Sequence, residues 1–274
     1  MSASERMAQI QTGFLEAKEF ALSAPSKELV SDFLAAKSDE FTSVSFEGAS
    51  MGLALKSYNS SQNLDGWRWF TTMYGGINGA QIYVGLGWAI AELNIDPAEL
   101  IGGLDGSSLW HVFDGVGYYY GILRRRSSVQ RQLVPEVVSK EFIPAFDQGL
   151  GRSFWYNAKG DLARVLETAA LFPKDRHPAF WRGLGVAITY VGGINRGVSM
   201  EIKQSAKSNL RHLKYGSLMA VLSREKAKRE SVDSSDIARC FVSNINPALS
   251  HIKEYKIRAD SNYLDTIENI ETFL

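Results

Sequence analysis

The 274-residue sequence contains a single cysteine, Cys240, which cannot form an intramolecular disulfide and indicates a reducing compartment. Its 30 basic and 30 acidic residues balance, so the excess of positive charge typical of nucleic-acid-binding proteins is missing. The longest tempting apolar run, Ala80 to Ala91, falls short of the roughly 20 residues of a transmembrane helix. The N-terminus carries charges of both signs and lacks the apolar region of a signal peptide. We therefore expect a cytoplasmic protein with no membrane span and no nucleic-acid partner.

Motifs for common cofactors are also missing. The sequence has no G-x-x-x-x-G-K-[ST] phosphate loop, no D-D-x-x-D or D-x-D-D cluster, and no H-E-x-x-H among its four histidines. His111 and Asp114 could share a helix face, where a hydrogen-bonded pair or a solvated histidine competes with a metal site. Residues 48–52 match G-x-S-x-G around Ser50, but that nucleophile motif requires a parallel sheet. We expect no metal and no cofactor.

Glycine, in contrast, recurs at a regular spacing. Similar segments start at glycines 37, 30, 34, 34 and 33 residues apart: Gly48, Gly85, Gly115, Gly149, Gly183 and Gly216. A period near 34 is the length of the tetratricopeptide helical hairpin. Because glycine destabilises a helix by roughly 0.5–1 kcal/mol relative to alanine, its repeated use indicates a packing role between the two helices of a unit. Four of the glycines in these segments are therefore expected at close helix–helix contacts: Gly85, Gly117, Gly151 and Gly185.

The rest of the chain also favours helices. Residues 1–40 resemble two amphipathic helices interrupted at SAPSKE, and Asp161 fits the N-cap of a helix that stops before Pro173. Only residues 41–46 alternate like a strand, and one strand cannot build a sheet. The sequence predicts one all-α domain, a tetratricopeptide-like solenoid. It would comprise an N-terminal helical cap over 1–40, glycine-marked repeats over 41–222 and a C-terminal helical cap over 223–274.

Aligning the units on their first glycine places equivalent residues in columns that face the same way in a solenoid. Two positions before the glycine the residues are Phe46, Tyr83, Phe113, Asp147, Trp181 and Lys214. One position before, they are Glu47, Val84, Asp114, Gln148, Arg182 and Tyr215. Asp147 thus interrupts a mostly aromatic column, while Glu47, Asp114 and Arg182 share a polar one that a tight superhelix would gather in one groove. Alternatively, Asp114 and Asp147 are helix N-caps or first-turn residues.

Five segments resemble a bacterial family of unknown function whose members are commonly labelled enediyne biosynthesis proteins. In order they are FEGASMGLAL, YVGLGWAIAEL, GLDGSSLWHVFDGVGYYYG, FDQGLGRSFWY and FWRGLGVAITYVGG, over about residues 40 to 200. Relatives tend toward an aromatic residue and then a histidine where this chain has Tyr118 and Tyr119. Members occur beside polyketide and other natural-product genes. The resemblance implies specialised metabolism of unsaturated carbon chains without supplying a reaction.

Two functions compete. The first is an enzyme that cyclises or isomerises an apolar polyene or prenyl chain. A carboxylic acid kept neutral by burial can protonate a carbon–carbon double bond, and aromatic faces stabilise the resulting cation. Asp147 is the predicted acid, either protonated or paired with Arg152, and Asp114 or Glu47 would tune it.

In that enzyme Arg152 or Arg182 would hold a substrate head group. The predicted cavity wall is aromatic: Tyr83, Phe113, Tyr118, Trp155 and Trp181. The second function is a non-catalytic helical-repeat module that docks onto a biosynthetic synthase or shields its product.

Overall fold

The computed structural model describes residues 1–97, 100–258 and 263–274, and these residues form 13 α-helices and no strand. The predicted all-α class is confirmed. In chain order the helices are α1 (Ala3–Ser23), α2 (Lys27–Ala35), α3 (Thr42–Ser61), α4 (Asp65–Leu93), α5 (Gly106–Leu123), α6 (Ile143–Asn157), α7 (Leu162–Ala170), α8 (His177–Val191), α9 (Arg196–Ala206), α10 (Leu210–Lys226), α11 (Val232–Phe241), α12 (Ile245–Arg258) and α13 (Tyr263–Glu271).

Several local signals hold in the structure. The two predicted N-terminal helices are α1 and α2, and the Asp161 side chain caps α7 by accepting from the Arg164 backbone N–H. Residues 41–46, which alternate like a strand, instead open helix α3. Nearly every residue of α3 from Thr42 to Leu55 is buried, so its apolar pattern does not mark one face and cannot report the helical period.

The glycine-marked helices pack directly on one another, and the glycines lie at the crossings. A Cβ on Gly117 of α5 would overlap the backbone carbonyl of Phe146 in α6, and a Cβ on Gly149 of α6 would overlap that of Asp114 in α5. The predicted contacts of Gly85, Gly117, Gly151 and Gly185 are confirmed. They join helices assigned to different predicted units, however, whereas the sequence predicted contacts between the two helices of one unit.

Helix α4 divides at Asn78, which has non-helical φ and ψ of −112° and 26°. Its first half packs beside α3, where the Trp67 indole N–H donates to the Ser50 hydroxyl over 2.9 Å. That hydroxyl donates to the Ile82 carbonyl over 2.6 Å in the second half of α4. Ser50 is fully buried in this joint, and Gly48 and Gly52 of its motif lie against α1.

The row of helices curls until its late members meet its early ones. The Arg224 guanidinium at the end of α10 donates to the Glu40 carbonyl before α3 over 2.9 Å and to the Tyr190 carbonyl of α8 over 2.7 Å. Gln81 of α4 donates to Ser223 of α10 over 2.5 Å. These contacts close the helices around a central cavity.

Helix α13 packs against the same assembly through a buried ion pair. Glu271 accepts two hydrogen bonds from the Arg182 guanidinium, at 2.6 and 2.9 Å, and its Oε2 lies 2.9 Å from His212 Nδ1. At the start of α13, the Tyr263 ring contacts Trp110 of α5 with ring centroids 5.6 Å apart. The C-terminal helix therefore supplies part of the cavity wall.

Candidate functional site

The cavity has a volume of about 1220 Å³, and its wall includes one stripe from each of α3, α4, α5, α6, α8 and α10, together with residues of α1 and α13. Residues four apart on a helix share a face, and the stripes run in steps of four from the polar column before the first glycine. They comprise Glu47 and Met51; Val84, Trp88 and Glu92; Asp114, Tyr118 and Ile122; Gln148, Arg152 and Tyr156; Val186 and Tyr190; and Tyr215, Met219 and Ser223. The polar column thus faces one cavity, apart from Arg182.

Three charged side chains meet inside this cavity. The Arg152 guanidinium donates to Asp114 Oδ1 over 2.5 Å, whereas its distance to Glu47 Oε2 is 3.9 Å. Gln148 donates to the other Asp114 oxygen over 2.6 Å, which fixes the orientation of that carboxylate. The guanidinium also lies over the Tyr118 ring, 4.5 Å from its centroid. Arg152 therefore binds Asp114 directly, and its interaction with Glu47 is weaker.

The weaker interaction with Arg152 affects the pKa of Glu47. Burial raises the pKa of Glu47 to about 7; Arg152 opposes the shift, Asp114 adds to it, and Trp88 opposes it weakly. The Trp88 indole makes no hydrogen bond of normal geometry, and of these groups it has the smallest effect on the pKa of Glu47. A substantial fraction of Glu47 is thus a neutral carboxylic acid near pH 7. The sequence predicted a neutral acid in the cavity at Asp147, whereas the buried carboxyl group with a raised pKa that lines the cavity is Glu47.

Three phenols surround the same acid. Burial raises the pKa of Tyr118, Tyr156 and Tyr190, and the charge of Glu47 acts on each of them in the same direction. Burial alone would lower the pKa of Arg152, but Asp114 and Glu47 outweigh it, so Arg152 stays charged. The site therefore combines the Arg152 cation, the Asp114 carboxyl group hydrogen-bonded to it, the Glu47 carboxyl group with its raised pKa, and three phenols.

Asp147 lies elsewhere. Its two carboxylate oxygens accept hydrogen bonds from Arg176, with Arg176 Nε 2.8 Å from Oδ2, and it does not line the cavity. The expected pairing with Arg152 and the expected inward orientation are both contradicted. The column of Asp147 packs toward the segments that precede the next helix, as the stacking of Phe113 on Phe142 shows. Burial raises the pKa of Asp147, and Arg176 opposes that shift.

The other predicted site residues lie either in the cavity wall or in the packed core. Tyr83, Tyr118 and Arg152 line the cavity as expected. Three predicted wall residues are instead buried in the packed core: Phe113, Trp155 and Trp181. Arg182 is bound to Glu271 and does not line the cavity either.

Sequence reasoning missed four residues of the site, namely Trp88, Gln148, Tyr156 and Tyr190. Gln148 stands in the polar column itself, and the other three follow that column by four or eight positions. Extending each column entry in steps of four would have found them, because that step keeps a helical residue on one face.

A family model described as "Protein of unknown function (DUF1702)" matches residues 1–262. The chain belongs to the DUF1702 family. No curated protein and no solved structure matches the chain. The DUF1702 match includes Glu47, Asp114 and Arg152, and its description assigns no activity. No helix among the described residues is long and apolar enough to cross a membrane.

Proposed function

We propose that the protein is an enzyme of natural-product biosynthesis that isomerises or cyclises an apolar polyunsaturated chain by acid catalysis in this cavity. One observation carries the proposal: a buried carboxylic acid, Glu47, with a pKa of about 7, lines a cavity walled by aromatic rings. General acids work best when their pKa lies near the working pH. Glu47 therefore takes the acid role that the sequence assigned to Asp147.

The cavity suits a long apolar ligand. Its volume of about 1220 Å³ exceeds the common range of roughly 300–1,000 Å³ for small-molecule pockets. Tyr83, Trp88 and Trp110 offer ring faces that stabilise positive charge developing along an unsaturated chain. After proton transfer the Glu47 carboxylate is partly balanced by Arg152, 3.9 Å away. The wall thus accommodates both the substrate and the charged products of the first step.

Two wider inferences accompany this function. Equivalent glycines of consecutive units make equivalent contacts, which supports a tetratricopeptide-like solenoid with a period near 34 residues. The resemblance to proteins labelled for enediyne biosynthesis supports a polyene or prenyl substrate and a biosynthetic setting. The single cysteine supports a cytoplasmic location.

Two isosteric substitutions at buried carboxylates test the acid. Glu47→Gln keeps the shape but has no transferable proton, so we expect a folded variant whose product formation falls at least about 100-fold. Asp147→Asn, the matched control, should retain its rate per folded molecule. Products are measured by chromatography coupled to mass spectrometry, since isomers share one mass, after incubation with prenyl diphosphates and with a polyene extract. The reverse result, loss in Asp147→Asn alone, would return the acid role to Asp147.

A non-catalytic module that docks onto a synthase is the second candidate. Three cavity-lining residues are large, apolar and exposed: Leu15 at 53%, Ile77 at 50% and Leu123 at 56%. Exposed apolar side chains at a cavity suit contact with a partner that delivers or collects its ligand. Retention of a polyene by the unaltered protein, with no chemical change in it, would favour this function.

A further inference from the structure

Two residues that line the cavity carry buried donors without a hydrogen bond of normal geometry. Among the described residues, the Trp88 indole N–H and the Tyr190 hydroxyl line the cavity without a hydrogen-bond partner of normal geometry. Trp88 is only 7% exposed. Glu47 lies beside Trp88 and Ser43 lies beside Tyr190, close enough to influence pKa values but outside hydrogen-bond geometry.

Unpaired donors are costly inside a protein, about 1–3 kcal/mol each. An indole N–H can only donate. The burial-raised pKa of Tyr190 keeps its phenol protonated, and a neutral Glu47 adds a third donor nearby together with one acceptor, its carbonyl oxygen. The main acceptor of the cluster, Asp114, is already engaged by Arg152 and Gln148. The surplus of donors calls for an acceptor that the ligand brings.

We propose that the substrate is a conjugated carbonyl compound whose oxygen accepts hydrogen bonds from Trp88, Tyr190 and Glu47, with its unsaturated chain lying along the aromatic wall. This inference rests on the proposed function and specifies its substrate class. A hydrocarbon of the same length would fill the cavity but leave the donors unpaired. Sites built to hydrogen-bond a ligand discriminate strongly against analogues that lack the group.

The carbonyl oxygen also gives the acid an easier target than a carbon–carbon double bond. Glu47 transfers its proton to that oxygen, which leaves a hydroxyl-bearing cation delocalised along the chain and a carboxylate on Glu47. Delocalisation weakens the chain's double bonds and permits rotation about them. Return of the proton to Glu47 then restores the carbonyl and the acid, so cis–trans isomerisation needs no other reactant.

A matched pair of probes tests the inference: 3,5,7,9-tetradecatetraen-2-one and 1,3,5,7,9-tetradecapentaene. They have equal carbon counts and, with the carbonyl counted, equal numbers of conjugated double bonds, but only the first carries an oxygen. Binding is followed by quenching of tryptophan fluorescence, since Trp88 and Trp110 line the cavity. We expect the ketone to bind at least about 10-fold more tightly and its absorption band to move to longer wavelength, as hydrogen bonds to the oxygen require.

Two variants test where the carbonyl oxygen of the ketone binds. Tyr190→Phe should weaken ketone binding about 3- to 10-fold without weakening pentaene binding, which corresponds to the loss of one hydrogen bond. Tyr74→Phe is the control, because Tyr74 packs against Phe46 and Phe70 outside the cavity. Equal affinity for the two probes, an unshifted band, or an equal effect of Tyr190→Phe on both probes would overturn the inference.

The proposed function has a separate readout. Conversion of the pentaene without any preference for the ketone would overturn the carbonyl inference and leave acid catalysis standing. Tight, band-shifted ketone binding with no isomer formed would support the carbonyl site and contradict the enzymatic function.

Discussion

Glu47 and Asp114 face the same arginine but at different distances. Asp114 receives a direct hydrogen bond from Arg152 and a second from Gln148, whereas Glu47 lies 3.9 Å from the guanidinium. Burial disfavours a charged carboxylate, and a close cation reverses that effect only where the contact is good. One arginine therefore stabilises one carboxylate and leaves the other as an acid.

The protonation of Glu47 should be visible in stability. Its pKa is raised from 4.5 when unfolded to about 7 when folded, so the folded state binds the proton more tightly. The stabilisation is fully present below pH 4.5 and is lost as the pH rises through about 7. The loss amounts to about 3 kcal/mol.

The Glu47→Gln variant should lack this pH-dependent contribution to the unfolding free energy. Urea unfolding of both proteins between pH 4.5 and 8 isolates it, because all other titrating groups are shared. A difference in unfolding free energy that stays constant with pH would contradict the raised pKa.

Replacing Asp114 should lower the pKa of Glu47. Asp114 raises the pKa of Glu47, and in Asp114→Asn the Arg152 guanidinium is left with Glu47 as its only carboxylate in the cluster. We expect the pKa of Glu47 to fall, which is measured by carbon NMR of the glutamate carboxyl groups. Product formation, which needs the protonated acid, should then decline at a lower pH than in the unaltered protein. An unchanged pKa of Glu47 in this variant would show that Arg152 does not turn from position 114 toward Glu47.

At the scale of the helix, glycine determines how closely neighbours approach. The first glycine of each pair faces the preceding helix and the second faces the following one, as Gly149 and Gly151 of α6 do with α5 and α8. Because the atoms they would meet are backbone atoms, no side chain can move aside. The cost of glycine in the helix is offset by packing that no other residue permits.

Alanine substitutions at two helical glycines separate packing from propensity. Gly151→Ala should destabilise by at least about 2 kcal/mol, since its Cβ would overlap the Phe180 backbone. Gly76→Ala is the control: nothing lies within 4 Å of its Cβ, so helix propensity should stabilise the protein by up to about 1 kcal/mol. Thermal unfolding measures both. Similar effects at the two sites would contradict the packing role.

Across the whole molecule, the cavity depends on a few contacts that close the row of helices. Arg224 is buried between the Phe41 and Tyr190 rings and donates to backbone carbonyls of three separate segments, Glu40, Tyr190 and Arg229. The fork of a guanidinium can satisfy such a set, whereas the point charge of lysine cannot. This one side chain thus ties α10 to α8 and to the start of α3.

Arg224→Lys should therefore cost about 2–3 kcal/mol of unfolding free energy while preserving the charge. Backbone amides at the start of α3 and the end of α8 should exchange faster with deuterium, because the closing contact is weakened. The control is Arg239→Lys at an exposed pair with Asp236, where we expect less than about 0.5 kcal/mol. Unchanged exchange at α3 and α8 would show that closure does not depend on Arg224.

The amino-acid sequence by itself determined the helical class, the glycine contacts and the polar column that supplies Glu47 and Asp114 to the cavity. These follow from local rules, since caps, helical spacing and the absence of a side chain act over a few residues. The sequence did not determine which carboxyl group lines the cavity with a raised pKa. Asp147 looked exceptional within its aromatic column, but its partner Arg176 lies 29 positions away, and only the folded chain brings them together. The pKa of Glu47 is raised because the tertiary structure buries this residue and places Arg152 closer to Asp114; desolvation and competition for a cation arise here between distant segments of the chain.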